Sequence, residues 1–405
     1  MLSVETFAGC GGLALGLAQA GFEHALVVER DPMAAATLFA NKKRRVRYIA
    51  DWPIKQADIA DVDFKELSAS IDLVSGGPPC QPFSIGGKHQ GPADERNMWP
   101  EAIRAVRELR PKAFLFENVR GLLRPAFANY LDFIRLYLSW PEIEPKTRET
   151  WKRRLAWLRM REAAGRAPTY RVLIRGINAA DYGAPQKRHR AIVIGVRADV
   201  ADSFTFPHPT HTREALVWSQ WVTGKYWDLH GIARKHRPEM DEGEQLIRDR
   251  LREQNVEPGE KPWETVRDAI GDLPTPKEDA EPISNHRLHP GARTYPRHTG
   301  STWDQPAKAL KAGDHGVPGG ENILAPVDGT VRYFTLREMA RLQGLPDTFQ
   351  IGDGWKNPIK QLGNAVPVQV GRAFGLEIAR LIDAAGNASN GVDGAERGPR
   401  MAVSA

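Results

Sequence analysis

The sequence predicts an α/β fold: a doubly wound, mostly parallel sheet joined to a second, smaller, loop-rich domain. Three observations carry this prediction. Short apolar runs alternate with helix-period segments through the first half of the chain. Glycine-rich turns follow two of those runs, at the strand ends where open α/β sheets hold their ligands. After Val200 the regular periods give way to Pro, Gly, His, Trp and charge, as in a separate domain.

In chain order, strands are expected at Ser3–Phe7, Ala25–Glu29, Asp72–Ser75 and Ala113–Glu117, with helices at Leu13–Ala20, Met33–Asn41 and Trp99–Leu109. Two further strands, Arg171–Asn178 and Ala191–Arg197, flank the loop Ala180–Arg190. Residues 1–203 form the first domain. It includes a basic insert at about 142–166, where Lys146, Arg148, Lys152, Arg153, Arg154, Arg159 and Arg161 surround Trp151, Leu155, Trp157 and Leu158. Residues 204–354 form the second domain and its hinge. Helical periods return at Thr335–Leu342 and Val368–Ile382, so 355–384 is expected to rejoin the first domain. Residues 385–405 read as a disordered tail rich in Ala, Gly, Asn and Ser.

At 405 residues the chain is long enough for two domains. Two cysteines make no disulfide framework and point to a reducing compartment. No apolar run spans a bilayer, and Met1–Phe7 lacks the basic-then-apolar pattern of a secretory leader. A net charge of +6 and a pI near 9.2 favour an anionic partner, nucleic acid first.

The turn Phe7-Ala8-Gly9-Cys10-Gly11-Gly12-Leu13 opens a helix whose free N–H groups suit an anion. Glu29 ends the next strand, where nucleotide-binding folds place an acid on ribose hydroxyls. Asp58, followed by Ile59, is a further strand-end acid within reach of an adenine amino group. Taken alone, this pattern fits NAD or FAD as well as any other nucleoside cofactor.

The second turn is Gly76-Gly77-Pro78-Pro79-Cys80-Gln81-Pro82-Phe83-Ser84. Prolines fix the backbone around a thiol at a strand end. Glu117 ends a neighbouring parallel strand. Arg188 and Arg190 alternate at the start of another, so one face is expected to carry both. The Gly86, Gly87 and Gly91 segment would allow a loop to close over a ligand. Trp218, Trp221, Trp227, Trp263 and Trp303 are expected to build the small core of the second domain. His208 and His211 have no cysteines at ligand spacing, and no metal site is expected.

In order, Phe7–Leu13, Gly77–Ser84, Glu117-Asn118-Val119, Gln186–Arg190, Arg337–Gln343 and Gln361–Pro367 resemble the motifs of the DNA cytosine-5 methyltransferases, across nearly the whole chain. The resemblance implies a Rossmann-like catalytic domain and S-adenosyl-L-methionine as cofactor. It assigns the methionine part to Phe7, Gly9, Gly11, Gly12 and Leu13, the ribose to Glu29, the adenine to Asp58 with Ile59, and pocket closure to Asn364 and Ala365. It implies Cys80 as nucleophile, Glu117 as the acid on the cytosine ring, and Arg188 and Arg190 as holders of the flipped nucleotide. The chain departs from the family at Ala309, where relatives often carry threonine. The resemblance implies a monomer acting on double-stranded DNA in a prokaryotic cytoplasm or nucleoid, with a cognate restriction endonuclease acting on the same site. A tRNA cytosine-5 methyltransferase and a non-catalytic DNA-binding relative are the alternatives.

Overall fold

The computed structural model of the chain describes residues 1–67, 69–79, 97–144, 146, 149–278, 283–294, 299–313, 322–326 and 329–395. Among these, the first domain begins with β1 (Leu2–Thr6), α1 (Gly12–Gln19), β2 (Glu23–Glu29), α2 (Pro32–Lys43), β3 (Ile54–Gln56) and β4 (Leu73–Gly76). It continues through α3 (Trp99–Leu109), β5 (Ala113–Val119), α4 (Ala128–Ser139), α5 (Trp151–Ala163), β6 (Tyr170–Asn178), β7 (Gln186–Lys187) and β8 (His189–Arg197).

Seven of these strands form one sheet in the order β3-β2-β1-β4-β5-β8-β6. The first five are mutually parallel, and β8 runs antiparallel to both of its neighbours. The strand order reverses between β1 and β4, so the crevice beyond their carboxyl ends is the expected ligand position. Helices cover both faces. On one, Val74, Phe114 and Phe116 pack with Trp99 and Ile103 of α3 and Ile134 of α4. On the other, Leu73, Leu115 and Ile194 pack with Leu17 of α1 and Phe374 of the last helix.

Local chemistry sets the helix starts. Asp31 accepts from the amides of Met33 and Ala34 at the head of α2, with Pro32 in the first turn. In α5, Arg154 is buried against Glu149 at 2.9 Å, and Arg159 reaches Asp132 of α4 at 2.8 Å. Part of the basic charge of the insert is therefore neutralised within the fold.

The second region carries short helices, α6 (Arg213–Val217), α7 (Lys225–Leu229), α8 (Glu242–Gln254) and α9 (Val266–Ile270). Its small core is Leu216, Tyr226 and Trp227, with Trp221 and Trp263 packed against it. Trp303 instead joins the layer around α2. The chain then forms α10 (Leu336–Leu342), α11 (Lys356–Asn364) and α12 (Val368–Ala395). The last helix runs on to Ala395, past residue 384, where composition placed the start of a tail.

α12 lies directly on α1. A Cβ on Gly12 would sit 2.2 Å from the Val366 carbonyl oxygen, and one on Gly16 would sit 2.3 Å from that of Val368. Helices approach this closely only where side chains are absent.

Candidate active site

Two half-sites meet at the reversal of strand order. The first is formed by the turns after β1, β2 and β3. Phe7 adopts a left-handed φ of 54°, and Gly9 and Gly11 have φ of 56° and 88°, which only glycine takes without cost. Gly11 is the N-cap of α1, and no side chain satisfies the first amides there. Glu29 clips two turns together, accepting from the Gly9 and Asp31 amides at 2.6 Å each. Asp58 caps the short turn beginning at Ile59 and pairs with the exposed Arg30 at 2.8 Å. That guanidinium, with the Ala60 amide, holds the Asp58 carboxyl below its ordinary range. Leu13 and Ile59 are buried, so their side chains belong to the core.

The carboxyl-terminal segment closes this half. Lys360 pairs with Asp31 at 3.2 Å, and Gln361 donates to the Met33 carbonyl at 3.3 Å. These contacts hold α11 against the start of α2, with Asn364 and Ala365 at its end and the carbonyl of the next residue, Val366, against Gly12. Two features suit a nucleoside cofactor here. A Cβ on Gly9 would meet nothing within 4 Å, and the buried Gln361 Oε1 has no partner.

The second half-site lies at the ends of β4 and β5 and the start of β8. Gly76 must be glycine, because a Cβ would fall 2.2 Å from the Thr6 carbonyl oxygen. The β4–β5 register pairs Gly76 with Phe116, which sets Glu117 beside Gly77. A Cβ on Gly77 would be 3.6 Å from Glu117 Oε2. Asn118, 2% exposed, donates to the Pro78 carbonyl at 3.1 Å and so anchors the Pro-Pro turn on β5. Cys80 and the Gly86–Gly91 segment lie outside the described residues.

Glu117 is 8% exposed, and Arg190 Nε lies 2.5 Å from its Oε1. The antiparallel β5–β8 register, Val119 opposite Arg190, produces this pair. Arg188 lies in the break between β7 and β8 and is 1% exposed. Its guanidinium donates to the Leu310 carbonyl at 2.9 Å and the Gly363 carbonyl at 2.6 Å. Burial, then the like charge of Arg190, lowers its pKa. The two arginines therefore do different work. Arg190 faces the acid, while Arg188 ties β8 to the second region and to α11. Nearby, β7 pairs with Ala307–Lys308, and Gln186 donates to the Leu342 carbonyl at 2.7 Å.

The anchoring role of Asn118 was not among the sequence expectations. The Glu-Asn-Val motif carried its signal, but the partner carbonyl lies forty residues away.

The chain is similar to known proteins over most of its length. The family model for C-5 cytosine-specific DNA methylase matches residues 1–139 and 146–380. The Type II methyltransferase M.PspPI of Psychrobacter sp. is 33% identical, over 94% of this chain and 80% of its own length. M.NgoMIV of Neisseria gonorrhoeae, also a Type II methyltransferase, is 30% identical over 94% of this chain and 97% of its own. Among solved structures, a mutant of Spodoptera frugiperda DNMT2 superimposes with a TM-score of 0.54 at 15% identity, covering 94% of this chain and 99% of that one. At that identity the likeness concerns the fold alone. The chain, an α/β protein matched by the family model over most of its length, belongs to the C-5 cytosine-specific DNA methylase family.

Proposed function

We propose that the protein methylates C5 of a cytosine flipped out of a specific duplex sequence, through a covalent adduct with Cys80. The observation that carries this reading is the Glu117–Arg190 ion pair beside Gly77, three residues before the cysteine. Cytosine C5 is a weak nucleophile. Addition of the Cys80 thiolate at C6 makes C5 enamine-like, a step that suits a thiol far better than a hydroxyl. Glu117 hydrogen-bonds N3 and the exocyclic amine, dispersing charge as the thiolate adds. Arg190 holds that carboxyl in place. After methyl transfer, loss of the C5 proton expels Cys80 and restores the ring.

S-adenosyl-L-methionine, when bound, supplies an electrophilic methyl group. The turn of Phe7, Gly9, Gly11, Gly12 and Leu13 would face its methionine part, Leu13 by its backbone alone, with Glu29 at its ribose, Asp58 at its adenine, and Asn364 and Ala365 closing the pocket. The open space at Gly9 and the uncapped start of α1 support that assignment. A base inside a duplex cannot reach such a crevice, so the target flips out at a cost of a few kcal/mol. The relatives named as Type II methyltransferases support a restriction-modification setting, with an endonuclease acting at the same site.

The test is incubation with S-adenosyl-L-methionine and mixed-sequence duplex DNA, followed by mapping of 5-methylcytosine. Methylation within one recurring motif is expected, with none from Cys80→Ala although that variant still binds DNA. Modification of tRNA alone would replace the DNA reading with the RNA one.

A further inference from the structure

The basic side chains around the Glu117 site fall into two groups. Arg190 is paired with the acid, and Arg188 is buried against carbonyls. Arg120 differs from both. It follows β5 directly, is exposed, and makes no ion pair or hydrogen bond through its side chain among the described residues. It lies three residues beyond Glu117, hence within roughly 10 Å of it along the chain. β5 ends at Val119, opposite Arg190, and Arg120 opens the 3-10 turn that follows (Arg120–Leu123), close enough to His189 for its charge to act on that imidazole. His189 is likewise exposed. Partial burial, then the charge of Arg120, lowers the His189 pKa below its ordinary value, as expected for neighbours. Asp181 and Arg190 are the other charged groups that act on it, and Asp181 is engaged by the Trp263 indole at 3.0 Å.

We propose that Arg120, with His189 beside it, is a phosphate-gripping rim that holds the DNA backbone next to the flipped cytosine. The inference rests on the base-flipping reading of the Glu117 site. A base drawn down onto Glu117 leaves its own phosphates at the mouth of the crevice. An exposed arginine without an acid partner among the described residues is then the natural counter-charge, since a guanidinium matches phosphate geometry in a bidentate fork. Such a contact positions the strand and carries no sequence information. The charge of Arg120 is solvated until DNA arrives, so the rim strengthens binding without taking part in bond making.

The test measures binding of a fluorescein-labelled cognate duplex by anisotropy across a series of KCl concentrations, with S-adenosylhomocysteine present. Wild type, Arg120→Gln, Arg120→Lys, His189→Gln and the remote control Arg380→Gln are compared, and methylation is assayed in parallel. Losing one phosphate contact lowers the slope of log affinity against log salt by about 0.9. Arg120→Gln is expected to show that loss, with affinity five- to fifty-fold weaker at low salt and KM for DNA raised more than kcat falls. Arg120→Lys should recover the slope, and Arg380→Gln should match wild type. His189→Gln is expected to weaken binding two- to fivefold. An unchanged slope in Arg120→Gln, with cofactor-product binding intact, overturns the rim. If wild type methylates DNA and the slope does not move, only this inference fails. If wild type leaves DNA unmethylated, the base-flipping reading fails first, and this inference goes with it.

Discussion

The two halves of the site are built from different materials. On the side of β1, β2 and α12 the shape is set by backbone: Gly9 and Gly11 take left-handed turns, and Gly12 and Gly16 admit a second helix at distances no Cβ allows. On the side of β4, β5 and β8 it is set by charge, with Glu117, Arg190, Arg188 and Arg120 gathered at the strand ends. The first half should therefore tolerate changes of charge better than changes of volume. The second, Gly76 apart, should tolerate changes of volume better than changes of charge.

The largest expected effect tests the charged half. Glu117→Gln keeps the shape and removes the charge, so kcat should fall 10²- to 10⁴-fold, roughly the contribution of a positioned general acid. Affinity for S-adenosylhomocysteine should stay within twofold of wild type. Unchanged turnover would remove Glu117 from the chemistry and leave its pair with Arg190 a structural one.

Glu5 sharpens the comparison, being an acid buried within the backbone-built half. It is 1% exposed on β1 and bonded by the Ser75 hydroxyl. Burial pushes its pKa from 4.5 up to about 8, with the Ser75 bond opposing in part. The folded protein thus keeps a proton between pH 4.5 and 8 that the unfolded chain has lost. The stability contributed by the neutral carboxyl is complete below about pH 4.5 and is lost as pH rises toward 8. Glu5→Gln, neutral throughout and still an acceptor for Ser75, should unfold later than wild type at pH 8 by a few kcal/mol, at about 1.4 kcal/mol per pH unit of separation. Near pH 4 the two should coincide. Parallel curves in thermal unfolding across that range would show that the acid is already charged in the fold.

β2, β4 and β5 were legible because each is an apolar run with a glycine or an acid at or near its carboxyl end, in a sheet covered on both faces. β3 was not, since Ile54-Lys55-Gln56 holds one apolar residue and exists by pairing with β2. Helices α6, α7 and α9, five residues each, are too short for a 3.6-residue period to show. Within the site, residue types were readable and partners were not. Arg188 and Arg190 look alike in Gln-Lys-Arg-His-Arg, yet one meets carbonyls 122 and 175 residues away while the other meets Glu117. Sheet register and the return of α11 create that difference, and neither is a local property of the sequence.

Two glycines a single turn apart give the smallest effects and separate packing from ligand binding. Gly12→Ala puts a methyl 2.2 Å from the Val366 carbonyl oxygen, in the short link between α11 and α12 that cannot yield without moving off α1. Overpacking of this kind costs about 1–3 kcal/mol, which a lower unfolding temperature would reveal. In Gly9→Ala the methyl meets no protein atom within 4 Å, so the stability cost is only the left-handed strain, about 1–2 kcal/mol. Yet that empty space is where the cofactor's methionine part is proposed to lie. Gly9→Ala should therefore bind S-adenosylhomocysteine at least tenfold more weakly by calorimetry, a loss larger than its modest instability explains. Wild-type affinity in Gly9→Ala would mean that the space above this turn is not filled by ligand, and the cofactor would have to approach the sheet from the Asp58 side.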